Sequence, residues 1–198
     1  MGSGATLVVV KRFAFVLLVT LVFATAAGAA RLDGDAVAAL ESVAGPGISV
    51  DCQLRRPEAL GHAFVARRVI GVRPWVCRRV NGLLLDATEP YSPDSYLVAW
   101  AVLILTHEAV HLSGYAGASD EALTECRAIQ LVHQVALAFG MSDAVSRALG
   151  HEALRYDPKL PGFGDYRVGL GLVPNYHATG CYDGGPLDIH PDSSDWPN

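Results

Sequence analysis

The apolar positions of this 198-residue chain change period along its length, and each change marks an element. Phe13 to Phe23 is an apolar run interrupted only by Thr20, preceded by Lys11-Arg12 and followed by the small residues Ala24 to Ala30. That layout is expected of a secretory signal peptide, residues 1–29, cleaved after Ala27-Gly28-Ala29. With its alanines the stretch reaches about 18 residues, the lower limit for a membrane span, so an uncleaved signal anchor is the alternative. Residues 30–160 then carry the patterning of one α+β domain. Residues 161–198 are rich in glycine and proline and are expected to be a loop-rich segment docked on the same domain.

Within the domain, Asp33 to Val43 is predicted as a helix ended by Gly45-Pro46-Gly47. Ile48 to Cys52 alternates apolar and polar as a strand does, and Ala63–Val72 and Trp75–Val80 also have β character. Asn81-Gly82, set between Val80 and Leu83, is a hairpin signal and predicts an antiparallel sheet. Ser92-Pro93 predicts the start of a helix, and from Tyr96 to Thr106 almost every residue is apolar. A helix with no polar face is buried all round, and this one is too short for a membrane span. It is expected to close at Gly114. Two further helices are predicted, from an N-cap at Ser119 to about Phe139 and from Ser142 to about Tyr156. The expected fold is α+β: a small antiparallel sheet packed on a buried central helix and two further helices, with an irregular C-terminal tail tied by a disulfide.

Charge and cysteine content narrow this picture. Net charge is −5, and about −7 once Lys11 and Arg12 leave with the signal, which disfavours nucleic acid as a general partner. The balance is uneven: residues 51–80 hold Arg55, Arg56, Arg67, Arg68, Arg73, Arg78 and Arg79 against only Asp51 and Glu58. They form either a solvated strand face or a basic rim that favours acidic peptides. Four cysteines in an exported chain imply two disulfides, with three possible connectivities. The expected pairs are Cys52–Cys77, between neighbouring strands, and Cys126–Cys181, between a helix and the tail.

The chemistry sits at the end of the apolar helix, where His107-Glu108-Ala109-Val110-His111 reads HExxH. Chance placement of this chain's histidines and glutamates gives about 0.01 such motifs. Positions i and i+4 share a helical face, so both imidazoles can reach one cation, with Glu108 beside it as a base. A catalytic zinc site takes three protein ligands and leaves a place for water. The next helix must fold back after a short loop, which brings Glu121 and Glu125, one turn apart, near the levels of His111 and His107.

At these residues the chain resembles the zincin metallopeptidases of the gluzincin type. Their HExxH is followed by N-E-x-x-S-D, and Asp120-Glu121-Ala122-Leu123-Thr124-Glu125 is similar to it. The resemblance implies zinc held by His107, His111 and Glu121, with Glu125 orienting His107; the alternative makes Glu125 the third ligand. Gly114 also gives a likeness to the HExxHxxG of metzincins, but their third ligand would fall at Gly117, which has no side chain to offer.

The expected function is therefore an exported zinc-dependent metallopeptidase-like hydrolase acting on a peptide or protein, with Glu108 as general base. The alternatives are a disulfide-stapled binding or scaffold domain with a structural zinc or a decayed site, and a zinc amidase acting on a non-peptide substrate. Membrane contact is expected only through an uncleaved N-terminal anchor. Tyr115, Tyr176 and His177 are candidates to stabilise an oxyanion. His133 is expected as a satisfied boundary histidine, His151-Glu152 as part of a solvated helix face, and Asp183, Asp188 and Asp192 as a solvated acidic tail rather than a calcium site.

Overall fold

The computed structural model describes residues 31–56, 59–85, 95–155, 180–193 and Pro197. The signal segment, Tyr176 and His177 therefore lie outside the described residues. The described elements are α1 (Gly34–Ala44), β1 (Ser49–Asp51), β2 (Gly61–Phe64), a 3-10 turn (Val65–Arg67), β3 (Val69–Val72), α2 (Pro74–Leu85), α3 (Ser95–Leu112), α4 (Glu121–Ala138) and α5 (Asp143–Arg155). The class is α+β, as the patterning predicts.

At the centre stands α3, where every residue from Ala101 to Val110 is buried. It packs against α1, α2, α4 and α5 and against β2 and β3, so no face is left to carry polar residues. Val102, Leu105 and Val110 are wholly enclosed. Each such side chain contributes about 1.5–3 kcal/mol through burial, and Leu105→Ala would cost about 2–5 kcal/mol with its cavity. No described helix is long and apolar enough to cross a membrane.

The sheet departs from expectation. Its order is β1-β3-β2 and it is mixed, not antiparallel: β3 pairs antiparallel with β2 (Gly61↔Val72 to Phe64↔Val69) but parallel with β1 (Ser49↔Val69 to Asp51↔Gly71). The tight turn at Val65–Arg67 reverses β2 into β3, with Arg68 left-handed at φ 52°. The chain after β1 instead crosses to the far edge before starting β2, and this long connection permits the parallel pairing. From its strained position Arg68 donates to the carbonyls of Ala44 (2.8 Å), Gly45 (3.0 Å) and Leu112 (3.4 Å). One guanidinium thus satisfies the C-terminal ends of α1 and α3 and ties the sheet to the motif helix.

The third expected strand and its hairpin are absent: residues 74–85 are helix α2. Pro74 suits the first helical turn, and Val76, Cys77 and Val80 then share one buried face. Gly82 does not adopt positive φ, and the Asn81 side chain accepts from the Asp33 N–H and donates to the Arg31 carbonyl. A tertiary contact thus overrides the local turn signal. Both expected disulfides form, Cys52–Cys77 and Cys126–Cys181, with no free cysteine. Because Cys77 is helical, the first joins the end of β1 to α2 rather than two strands. The two bridges indicate an oxidising, extracytoplasmic environment.

The described part of the tail docks on α4. Gln130, fully buried, donates to the Leu187 carbonyl (3.0 Å) and accepts from the Ile189 N–H (2.7 Å), as a strand neighbour would. The Asp188 carboxylate accepts from the Gly184 and His190 N–H groups, so it builds a turn.

Candidate metal centre

Two turns of α3 and the first two turns of α4 face each other across residues 113–120. Asp120, not Ser119, caps α4: its carboxylate accepts from the N–H groups of Ala122 (2.9 Å) and Leu123 (3.1 Å). The carboxylate is the stronger acceptor for a helix N-terminus, and its negative charge suits the dipole there. The same loop fixes His111, whose Nδ1 meets the Ala118 carbonyl. A carbonyl can only accept, so the proton sits on Nδ1 and the lone pair on Nε2.

His107 is oriented in the same way. Its Nδ1 lies 2.6 Å from Glu125 Oε2, an acceptor that leaves Nε2 pointing the other way. That Nε2 is 3.0 Å from His111 Nε2 and 3.0 Å from Glu121 Oε2, and Glu121 Oε2 is 3.5 Å from His111 Nε2. Two ligand atoms about 2.0–2.1 Å from a tetrahedral ion stand about 3.3 Å apart. The sides of this triangle straddle that value, and His107, His111 and Glu121 can hold a metal ion. Glu125, on the opposite side of the His107 ring, is placed to orient it.

The electrostatics point the same way. Burial pushes the His107 imidazole down, but hydrogen bonds to Glu121 and Glu125 outweigh it and lift it to about 10. His111 is also raised, its burial overcome mainly by Glu121, while Glu121 is held below the usual carboxylate range by both histidines. An environment that favours a proton on these rings favours a metal cation in its place, and the two compete.

Glu108 projects towards β2. A Cβ on Gly61 would come 2.5 Å from Glu108 Oε1 and 2.7 Å from its Cγ, so only glycine lets the carboxylate lie against the strand. The Ala63 backbone also hydrogen-bonds to it. Burial raises the Glu108 carboxyl to about 7, against the opposing pull of His107 and His111. Among groups the motif does not mark, His62 of β2 is held low by burial, then by the nearby charges of Arg56 and His111. Gly61, His62 and Ala63 thus border the site, and no sequence spacing points to them.

Tyr115 is packed under the Arg127 guanidinium (4.7 Å). His133 pairs with Asp143 (3.0 Å), as expected of a satisfied boundary histidine. His151 is exposed, whereas Glu152 turns inward. Among the described residues His107, His111 and Glu121 form the one group able to hold a metal, and no tail aspartate belongs to it. No protein-family model matches the chain, and no curated protein or solved structure does so either.

Proposed function

We propose that the chain is an exported zinc hydrolase of the zincin type, similar to gluzincins, that cleaves peptide bonds. The observation that carries this reading is the convergence of two imidazole Nε2 atoms and the Glu121 carboxylate oxygen within 3.0–3.5 Å, beside the buried carboxylate of Glu108. Two histidines and a glutamate are a common ligand set for catalytic zinc and leave a coordination position open. The N-terminal signal pattern and the two disulfides support export.

His107, His111 and Glu121 would hold the zinc ion, which would supply Lewis acidity towards a carbonyl and towards water near neutral pH. The remaining chemistry falls to the chain's own groups. Glu125 holds the proton on His107 Nδ1 and Ala118 holds it on His111 Nδ1, which keeps both Nε2 lone pairs available. Glu108, buried beside the ligand group, can take a proton from water and return it to a departing amine. Gly61 and Ala63 hold that carboxylate against the strand, away from bulk water.

The test is Glu108→Gln in the zinc-loaded full chain, assayed on a mixed peptide library. Glu108 is not a ligand, so zinc content should remain near one per chain while cleavage falls by at least about 10³-fold. Equal cleavage by wild type and variant would overturn the mechanism. Bound zinc with no cleavage by the wild type would favour a structural metal.

A further inference from the structure

The seven arginines of residues 51–80 do not act alike. Arg68 clamps two helix ends, and Arg73 donates to the carbonyls of Ala59 (2.9 Å) and Arg56 (3.2 Å). Arg56 and Arg67 lie over the Phe64 ring at 5.8 and 4.5 Å. Arg55, Arg56, Arg73 and Arg78, with Leu54 and Trp75, line an open groove of about 630 Å³, large enough for substrate side chains. Among the described residues, Arg55, Arg56 and Arg78 form no ion pair with a carboxylate. Three guanidiniums with no carboxylate partner among the described residues, on an acidic chain, form a concentrated positive field.

The groove adjoins the metal centre. Arg73 N–H bonds to the Leu60 carbonyl, one residue before the Gly61 on which Glu108 rests. Arg56 is near enough to His62 to act on its charge, and His62 in turn feels His111. Trp75 meets Trp100 with ring centroids 5.7 Å apart, and Trp100 precedes His107 by seven residues of α3. The groove wall thus touches α3 about two turns before the first of the metal ligands.

We propose that this groove binds the carboxylate side chains of an acidic peptide, so that the substrates carry Asp or Glu to one side of the cleaved bond. The proposal rests on the hydrolase reading above and specifies its substrate class. Guanidinium forks pair with carboxylates in two-point contacts, and Trp75 and Leu54 give apolar floor to the side-chain stem.

The experiment measures binding apart from cleavage, on the zinc-loaded full chain carrying Glu108→Gln. Two fluorescent octapeptides, one with glutamates to one side of its centre and one with glutamines there, are titrated by anisotropy. The glutamate peptide should bind at least about tenfold more tightly. Adding Arg55→Glu and Arg78→Glu should abolish that preference without changing zinc content, and Arg55→Gln with Arg78→Gln should do so in part, which covers a misfolded charge-reversal variant. Equal binding of the two peptides, or a preference that survives both pairs of changes, would overturn the proposal. So would an oligothymidylate of the same length that binds as tightly, since phosphates would then be the ligand. None of these results bears on whether Glu108 is the base, which the cleavage assay reads alone.

Discussion

His107 and His133 are each 8% exposed, and each has a carboxylate oxygen 3.0 Å from its Nε2, yet they are built for different ends. Asp143, the partner of His133, is exposed and also accepts from Arg147 Nε at 2.9 Å. Its charge is balanced before the histidine is considered, and Arg147 then His133 hold it below the usual carboxylate range. At His107 two carboxylates converge on one ring, a second imidazole brings another lone pair, and no lysine or arginine pairs with them among the described residues. Burial and one partner distance are therefore poor guides to a metal site. The distinguishing feature is acceptors that converge on two imidazoles with no lysine or arginine to balance them among the described residues.

That contrast breaks most sharply on metal binding. His107→Ala should reduce zinc affinity by at least about 10³-fold, because it removes one of three ligands. His133→Ala should leave zinc affinity unchanged. Isothermal titration of both variants decides the matter, and comparable losses would mean that the metal lies elsewhere.

The next test concerns the two glutamates on α4. Glu121 lies at the Nε2 face of both histidines and Glu125 at the far side of His107, so one can bind the ion and the other orients a ligand. Glu125→Ala should weaken zinc binding by about 10–100-fold, and Glu121→Ala should weaken it more. The opposite order, measured with a competing chelator, would move the third ligand one turn along the helix.

These residues were legible because the information is local. The i, i+4 spacing of His107 and His111, the short loop to Asp120 and the one-turn spacing of Glu121 and Glu125 are all helical geometry, and helical geometry is written in consecutive positions. The buried α3 was legible too, since eleven nearly unbroken apolar residues leave no other place for a helix. What stayed hidden depends on distant contacts. The Asn81 side chain reaches across 48 and 50 residues to Asp33 and Arg31, which turns a hairpin signal into a helix. Gly61 meets Glu108 across the gap between strand edge and helix, and the parallel register of β1 on β3 depends on the path of the connection. Neither leaves a period in the sequence.

The smallest expected effects, on folding stability, separate the two regions by sign. Glu108 is raised from an ordinary value of 4.5 to about 7, chiefly by burial. A carboxyl whose folded pKa is raised binds its proton more tightly in the folded chain, so its contribution is fully present below about 4.5 and is lost as pH rises through about 7. At pH 8 the wild type therefore holds a buried carboxylate at a cost of up to about 3 kcal/mol. In metal-free chain with both disulfides intact, Glu108→Gln should be more stable than wild type at pH 8 by about 2 kcal/mol, and no more stable at pH 4. Glutamine keeps an acceptor for the Ala63 backbone and a similar volume, so the gain reports charge alone. His133→Ala should instead destabilise by about 1 kcal/mol, through a lost hydrogen bond and a small void. Urea unfolding at the two pH values measures both. A Glu108→Gln gain that persists at pH 4 would show that packing, not the buried charge, is what the substitution relieves.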